Sequence, residues 1–422
     1  MRKKVLLVFL AMVLVVSLVA FGACKAEEEE PPPPPPPPVE EEEEPPPPPP
    51  PPPWEWPELL AALTMPVGSM GYGTMVAWTA VMQEDTGMQI RLVPAGASSA
   101  ENFQNLKDGP YVWHMDAPSQ IGGLLEGIGG YASRDLGPFQ IRGLWPSYES
   151  VTGYLVRGDS DIKTPRDIKP GTKIAYLAGS PMGKLPMDAL VAWSGVDPND
   201  IEWLPFTGFW DSLDMVRDGS ADVTWTFPTA PQVFEAAASP SGIAFIDLDV
   251  EADPEGGERF LSVWPTIAFG VNQLGVPESI GNNGLLQITG HYAVADSDPE
   301  LIYQICKWLW ENYDSYKDLS PTLTYHHIDT VMKMVETDFV PPHEGLVRYL
   351  KELGKWTPAH EARYQANVDL ITRYVEAYKT AITMAEEQQI DVGPKNEEWI
   401  ALWENYKKEL ALPLFTMFLG VD

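Results

Sequence analysis

The sequence predicts an α/β fold of two lobes that is followed by a helical C-terminal part. Short apolar runs of strand length alternate with helical segments from Leu59 to Val250. A glycine- and serine-rich loop joins a strand to a helix at two places, and long helical patterns follow Asp298. At 422 residues the chain has room for about two or three units of ordinary size.

Residues 1–24 have the composition of an export signal. Basic residues precede a long apolar run that ends in Phe-Gly-Ala-Cys at Phe21–Cys24. Small residues directly before a cysteine resemble the lipobox of bacterial lipoproteins, which predicts cleavage and lipidation at Cys24. The alternative is an uncleaved signal anchor, because the apolar run is long enough to span a membrane. Both interpretations place the rest of the chain outside the cytoplasm and attached to a membrane.

Residues 25–53 consist of runs of glutamate and proline, and they predict an extended linker. Polyproline favours the left-handed polyproline II helix and neighbouring glutamates repel one another, so this stretch lacks what a packed core needs. We interpret it as a spacer that holds the folded part away from the membrane.

The charge balance excludes one class of partner. The chain has 60 Asp and Glu residues against 28 Lys and Arg residues, and its formal net charge is −32. Such a surface repels phosphate backbones, so the sequence excludes nucleic acids as partners. The cysteines are Cys24, in the export segment, and Cys306, so the folded part cannot contain a disulfide framework.

Apolar periodicity and turn residues give the predicted elements in order. The predicted strands are Ile90–Val93, Val112–Met115, Ile141–Leu144, Val151–Val156, Lys173–Leu177, Ile201–Pro205, Val223–Phe227 and Ile243–Leu248. The predicted helices of the α/β part run from about Thr74 to Asp85, from Ser98 or Ser99 to about Gly109, from Ser180 to Gly195 and from Trp210 to Arg217. The predicted helices after Asp298 are Pro299–Tyr316, Tyr325–Thr337, Pro358–Glu387 and Glu397–Leu410.

The two glycine- and serine-rich loops predict where a ligand binds. They lie within Thr64–Thr74 and Ala175–Gly183, each between a strand and a helix. The free amides of a helix N-terminus favour anions, and open α/β sheets bind ligands at the carboxyl ends of their strands. Two such loops suit two lobes that face a shared cleft. Asp116, at another strand end, is interpreted either as a cleft residue or as a solvated turn residue.

Five segments in this order resemble the TAXI family, the solute-binding subunits of one branch of the tripartite ATP-independent periplasmic (TRAP) transporters. They are GSMGYGTM (Gly68–Met75), PAGASSAENFQNLKDG (Pro94–Gly109), DIKTPRDIKPGTKIAYLAGSPMG (Asp161–Gly183), DSLDMVRDGSADVTWTFPTAP (Asp211–Pro231) and VPPHEGLVRYLKELGKW (Val340–Trp356). The second loop departs from the family, because it reads GSPMGK where the family has GSGT.

The resemblance implies a periplasmic-binding-protein type II fold with a hinged cleft between two α/β lobes. Lobe 1 would comprise residues 54–157 and 251–422, including the helical C-terminal tail, and lobe 2 residues 158–250. The resemblance also implies a monomer that needs no cofactor and has no enzyme activity. Its expected role is to capture a small organic anion, either a carboxylate or an amino acid, and to deliver it to the ion-coupled TRAP permease in the membrane.

The ligand contacts that the resemblance implies come from both lobes. In lobe 1 they are Ser69, Met70, Gly71, Tyr72, Ser98 and Asn102. In lobe 2 they are Ser180, Pro181, Met182, Phe209, Trp210 and Phe227. We expect a ligand carboxylate between the Ser69–Tyr72 loop and Ser180, bound by amides and hydroxyls, because neither loop contains an arginine.

Three alternatives stay open on the sequence. The first is the substrate-binding protein of an ABC importer of the taurine, nitrate or thiamine-precursor type, which has the same two-lobed design. The second is a hydrolytic enzyme, although the sequence has neither a G-x-S-x-G nor an H-E-x-x-H motif. The third is a surface adhesin or structural lipoprotein. The histidines lack the spacing of a metal site, and His343 is interpreted as a helix cap.

Overall fold

The first three strands form a parallel sheet in the computed structural model, which describes residues 54–67, 69–94, 99–178, 183–208 and 210–417. β1 (Leu59–Thr64) pairs with β2 (Gln89–Pro94) and with β3 (His114–Asp116). The helices that follow these strands are α1 (Met70–Thr86), α2 (Ser99–Asp108) and α3 (Pro118–Glu126). Because the strands are parallel, the three helices begin at the same edge of the sheet. We call residues 59–126 the first region.

Two long antiparallel strands, β4 (Ile141–Arg157) and β10 (Asn283–Val294), extend this sheet. The other strands that join it are β7 (Thr224–Thr226), β8 (Ile243–Phe245) and β9 (Ala268–Val271). Within the described residues the order is β2-β1-β3-β10-β4-β7, with β8 paired to β4 and β9 to β10.

β4 corrects one prediction. The sequence predicts two strands, Ile141–Leu144 and Val151–Val156, but the structure has one continuous strand. The intervening Trp145 and Tyr148 are buried and pair with β10, so tertiary packing keeps this stretch in the sheet. β10 itself is absent from the predicted strands.

A second parallel pair, β5 (Lys173–Leu177) and β6 (Glu202–Phe206), forms a separate two-stranded sheet. The helices of this part are α4 (Leu185–Ser194), α5 (Asp211–Asp218), α6 (Pro231–Ala237) and α7 (Pro254–Val263). α7 packs on α4, where Trp193 and Phe260 meet edge to face with ring centroids 5.9 Å apart. We call residues 173–263 the second region.

The predicted ends of three helices are confirmed. Gly87, Gly195 and Gly219 follow α1, α4 and α5 at φ angles of 72°, 81° and 81°. This left-handed backbone conformation carries no steric penalty for glycine, so glycine ends helices readily.

The predicted start of α4 at Ser180 is wrong, because the helix begins at Leu185 with Pro186 in its first turn. Gly183 lies directly against the backbone carbonyl of Leu177 at the end of β5, where a side chain would not fit. Gly183 and Lys184 are not part of the helix, which starts only after them.

Helices make up most of the chain after Val294. They are α8 (Pro299–Glu311), α9 (Tyr313–Tyr316), α10 (Ile328–Thr337), α11 (Glu344–Glu352), α12 (Pro358–Glu387) and α13 (Glu397–Glu409). The bounds of α12 agree with the prediction, whereas the single predicted helix Pro299–Tyr316 is divided at Asn312 into α8 and α9. Among the described residues, no helix is both long and apolar enough to cross a membrane.

Apolar clusters cover both faces of the first sheet. Leu60 and Ala62 pack with α1 and α8 on one face, and Leu63 packs with α2, α3 and the C-terminal helices on the other. The predicted α/β class is confirmed. Residues Glu55–Asp422 form one compact unit, and β4 and β10 are the strands that connect its parts.

Candidate functional site

Three helix N-termini lie at the carboxyl edge of β1, β2 and β3, and this edge is the candidate site. The first backbone amides of a helix have no partner within the helix, and the helix dipole is positive at this end. The edge therefore offers hydrogen-bond donors and a favourable field for negative charge.

The first predicted loop leads directly into α1 at this edge. Ser69 is the N-cap residue, because its Oγ accepts a hydrogen bond from the Tyr72 amide at 3.2 Å. Met70 keeps 37% of its surface exposed, whereas Gly71 is buried. A Cβ at Gly71 would overlap Cε of Met115, so glycine lets α1 lie close to β3. The structure brings these four predicted residues together, and their contact with a ligand stays a prediction.

Asp116 is a buried acid at the end of β3, with only 4% of its surface exposed. Its Oδ1 accepts a hydrogen bond from the Ala117 amide at 2.8 Å, and its Oδ2 lies 3.1 Å from Nε2 of His114. The interpretation of Asp116 as a solvated turn residue is therefore wrong.

Asp116 contributes to the raised pKa values of two tyrosines. Burial is the main cause that raises the pKa of Tyr131 well above its ordinary value, and Asp116 adds to it. Burial and, to a smaller degree, Asp116 raise the pKa of Tyr148 to about 12. Both phenols therefore stay protonated at neutral pH and can donate hydrogen bonds. The Tyr131 hydroxyl donates to Oε1 of Gln120 at 2.6 Å.

Asn102, which the resemblance implies as a ligand contact, is 4% exposed on α2. Its neighbour Phe103 packs edge to face on His114 with ring centroids 5.0 Å apart, so α2 lies next to the Asp116 pair. Thr64, the last residue of β1, is fully buried, and its Oγ1 has no hydrogen-bond partner among the described residues.

The sequence does not predict Gln120, Tyr131 or Tyr148 as site residues, and it includes Thr64 only as the first residue of the first loop. A polar residue at a strand end is the signal that singles out Thr64. Tyr131 and Gln120 lie outside any predicted element, so no local pattern places them beside Asp116.

The second region places two further predicted residues together. Trp210 precedes α5 and Phe227 follows β7, and both half-buried side chains pack against the same apolar cluster, which includes Leu213 and Val216. The ring of Phe227 lies 4.9 Å from that of Trp225. This part of the second region is aromatic and apolar, and a ligand contact there stays a prediction.

The remaining predicted positions lie outside the described residues. They are Cys24, Ser98, Ser180, Pro181, Met182 and Phe209.

Histidines in the described part of the chain are mostly buried, and no group of three His, Cys, Asp or Glu side chains there is arranged to hold a metal ion. Burial lowers the pKa of His291 to about 3 and that of His326 well below its ordinary value, so both rings are neutral at pH 7. The prediction for His343 is confirmed, because its Nδ1 accepts a hydrogen bond from the Gly345 amide at the start of α11.

Comparison with known proteins identifies the family. A family model described as the NMT1-like family matches residues 64–354, which include all of the first and second regions after β1. The chain belongs to the NMT1-like family. The family consists of periplasmic solute-binding proteins, so the predicted function is confirmed at the level of solute binding outside the cytoplasm. The finer resemblance to TAXI proteins is not confirmed.

Several solved structures are similar to the chain. The periplasmic aliphatic sulphonate binding protein SsuA from Escherichia coli has 14% identity, covering 84% of this chain and 87% of that chain, with a TM-score of 0.39. The second is the periplasmic sulfonate-binding protein SsuA of a putative sulfonate ABC transporter from Methylobacillus flagellatus KT. Its identity is 15%, the match covers 84% of this chain and 94% of that chain, and the TM-score is 0.36. A structure described as a periplasmic transporter has 11% identity, covering 74% of this chain and 96% of that chain, with a TM-score of 0.41. No curated protein matches the chain.

Proposed function

We propose that the protein is the substrate-binding component of an ABC importer, which captures a small organic solute and delivers it to a membrane permease. The observation that supports capture is the carboxyl edge of β1–β3. There, in a chain of a solute-binding family, three helix N-termini and the buried Asp116 lie side by side.

The proposal also includes the type of membrane transporter to which the protein delivers its solute. The five TAXI-like segments favour an ion-coupled TRAP permease, whereas the sulfonate-binding protein named above is described as part of an ABC transporter. We take the ABC importer as the first candidate and the TRAP permease as the second. The two differ in their energy source, which makes them distinguishable by experiment.

The proposed solute carries an anionic group together with a hydrogen-bond donor or an amino group. Each helix N-terminus stabilises a nearby anion by about 0.3–1 kcal/mol at exposed sites and up to about 2 kcal/mol when partly buried. The carboxyl group of Asp116 repels a second anion and attracts a donor or cation. An amino acid or an aminosulfonate combines both properties.

We propose two further features that the sequence predicts. Cys24 is lipidated, and residues 25–53 act as the spacer between the anchor and the folded part. Lobes at residues 54–157 with 251–422 and at 158–250 close on the solute by hinge motion. Mass spectrometry of the mature N-terminus tests the first feature, and cleavage at any other residue contradicts it. Small-angle scattering with and without solute tests the second.

A thermal-shift screen tests solute capture. The panel contains amino acids, aminosulfonates, alkyl sulfonates and dicarboxylates, and a solute at a hundred times its Kd stabilises the folded state by about 2.7 kcal/mol. We expect Asp116→Asn to weaken the binding of the hit, whereas the exposed Asp211→Asn in the second region serves as the matched control. A hit whose affinity neither Asp116→Asn nor any change at Ser69–Tyr72 alters contradicts the proposed site.

Uptake measurements test the partner. Vesicles prepared from the native membrane are given the protein and the labelled solute, with either ATP inside or an imposed ion gradient. We expect uptake that requires ATP and stops with vanadate. Uptake driven by the ion gradient without ATP would instead establish the TRAP permease as the partner.

A further inference from the structure

The residues after α13 cross the molecule as an ordered segment, Leu412–Met417, which we call the C-terminal strap. The Phe415 amide donates a hydrogen bond to Oε1 of Glu126 at 3.1 Å, and the Met417 amide donates to the Pro265 carbonyl at 3.1 Å. The carbonyl of Pro413 accepts a hydrogen bond from the Tyr374 hydroxyl at 3.0 Å. The strap is therefore attached to α3, to α12 and to the segment between α7 and β9.

The side chain of Phe415 fixes the strap in the core. It is fully buried, and its ring lies 4.8 Å from that of Tyr374 and 5.6 Å from that of Phe339. Burial of this aromatic side chain removes its apolar surface from water and stabilises the docked strap. The strap is thus a packed element, although it has no regular secondary structure.

Glu126 contacts the C-terminal part of the chain with its backbone as well as its side chain. Its carbonyl accepts a hydrogen bond from Nε1 of Trp403 at 2.9 Å, and Nζ of Lys407 lies 3.5 Å from the same oxygen. Glu126 is also the last residue of α3, the helix that begins beside Asp116 at the candidate site. Contacts at Glu126 therefore act on the far end of a helix that helps to form that site.

The strap and α3 reach the same neighbouring segment. Gly122 in α3 packs so closely on Thr266 that a Cβ at this position would overlap the threonine side chain. Thr266 directly follows Pro265, to which Met417 is hydrogen-bonded. The strap itself, Leu412–Met417, lies beyond residue 354 and therefore outside the part of the chain that matches the NMT1-like family, whereas α3 and Thr266 lie inside it.

We propose that the C-terminal strap is a pH-sensitive clasp, which holds α3 to the Pro265–Thr266 segment while Glu126 is protonated and loosens when Glu126 ionises. The proposal goes beyond solute binding, and it holds whichever solute and permease the protein uses.

The surroundings of Glu126 give the direction of the effect. Burial raises its pKa to about 7, and the hydrogen bond from Phe415 and the charge of Lys407 oppose this rise only in part. Glu404 on α13 adds to the rise, and Tyr374 on α12 also faces the group.

When the strap is released, Phe415 no longer covers Oε1 of Glu126, so the carboxyl group is more exposed to water and its pKa falls toward the ordinary 4.5. The docked form thus binds the proton more tightly than the released form. The docking equilibrium is therefore strongest below about pH 4.5, weakens by roughly tenfold per pH unit up to pH 7, and is constant above that.

Hydrogen–deuterium exchange of the full chain tests the clasp. Protection factors of the Phe415 and Met417 amides are measured at pH 5.5 and pH 8, after correction for the intrinsic exchange rate at each pH. We expect protection to fall by about tenfold or more between the two values. In Glu126→Gln, which keeps a hydrogen-bond acceptor but cannot ionise, we expect protection to be independent of pH.

The matched control is Glu409→Gln, an exposed glutamate on α13, which should retain the wild-type pH dependence. Equal protection at both pH values in the wild type overturns the proposal, and so does an unchanged pH dependence in Glu126→Gln. If that variant fails to fold, NMR titration of the Glu126 carboxyl carbon in the wild type decides, because a midpoint below pH 5 is incompatible with the clasp. None of these measurements involves a solute, so their failure is distinct from a failure of the proposed function.

Discussion

The first and second regions share a plan of parallel strands followed by helices, but they place different chemistry at the strand ends. The first region has Asp116 and His114 in its interior, and the protonated Tyr131 and Tyr148, which follow this region in the chain, interact with Asp116. The second region has Trp210, Phe227 and Trp225 packed over an apolar cluster. A polar edge provides directional hydrogen bonds that select a ligand's functional groups, whereas an aromatic edge provides contact area. We infer that specificity resides mainly in the first region.

The largest expected effect is at Asp116. Asp116→Ala leaves the buried His114 ring and the half-buried Ala117 amide without their hydrogen-bond acceptor, so we expect the free energy of unfolding to fall by about 1–3 kcal/mol for each group. Urea denaturation measures this loss. Asp211→Ala in the second region removes an exposed hydrogen bond to the Gly208 amide, and we expect a change of about 1 kcal/mol or less. Equal losses in the two variants would remove the contrast between the regions.

A second test uses pH. His291 lies on β10 beside β3, and burial lowers its pKa to about 3, so the folded state does not take up the proton that the unfolded state binds below pH 6.5. The contribution of His291 to stability is therefore complete above pH 6.5 and falls by about 1.4 kcal/mol per pH unit as the pH decreases toward 3.

Comparing the stability of the wild type with that of His291→Gln isolates this contribution. The buried acids with raised pKa values have the opposite effect, because they stabilise the folded state as the pH falls, but they are present in both proteins. We expect the wild type to lose about 3 kcal/mol more than the variant between pH 7 and pH 4. Chemical denaturation at several pH values measures the difference. The segment 158–250 contains no histidine, so acid should weaken it less in this range. Parallel stability curves for the wild type and the variant would contradict the assignment.

The comparison also explains what the sequence could predict. Helix ends at Gly87, Gly195 and Gly219 depend on local backbone conformation, and local patterns are sufficient to find them. The sequence does not predict β10, because glycine, glutamine and histidine interrupt the apolar residues of Asn283–Val294, and it is pairing with β4 and β3 that keeps this segment in the sheet. The environment of Asp116 depends on Tyr131 and Tyr148. Tyr131 follows α3 and Tyr148 lies on β4, so only the fold brings them near Asp116 at the end of β3.

Two glycines in α1 provide a smaller, matched test of the first region. A side chain at Gly71 would displace Met115 and Met65, so we expect Gly71→Ala to destabilise by about 1–3 kcal/mol and to weaken solute binding. Gly73 has open space around its Cβ position, so Gly73→Ala should stabilise the helix by about 0.5–1 kcal/mol. Thermal unfolding and solute titration of both variants measure these effects. If Gly71→Ala were more stable than Gly73→Ala, α1 would not lie against β3 as described.

The smallest effect concerns the two roles of Ser69, as the cap of α1 and as a ligand contact. Ser69→Ala removes the acceptor for the Tyr72 amide and should lower stability by about 1 kcal/mol, whereas Ser69→Gly should lower it by a few tenths, about 0.3 kcal/mol. Ser69→Asp retains a capping oxygen but replaces the hydroxyl donor with a negative charge. If Ser69 contacts an anionic group of the solute, calorimetry should show an affinity that falls by about tenfold or more in Ser69→Asp, although its stability is that of the wild type. Wild-type affinity in Ser69→Asp would leave the capping role alone, and the anion would then have to bind elsewhere along the edge.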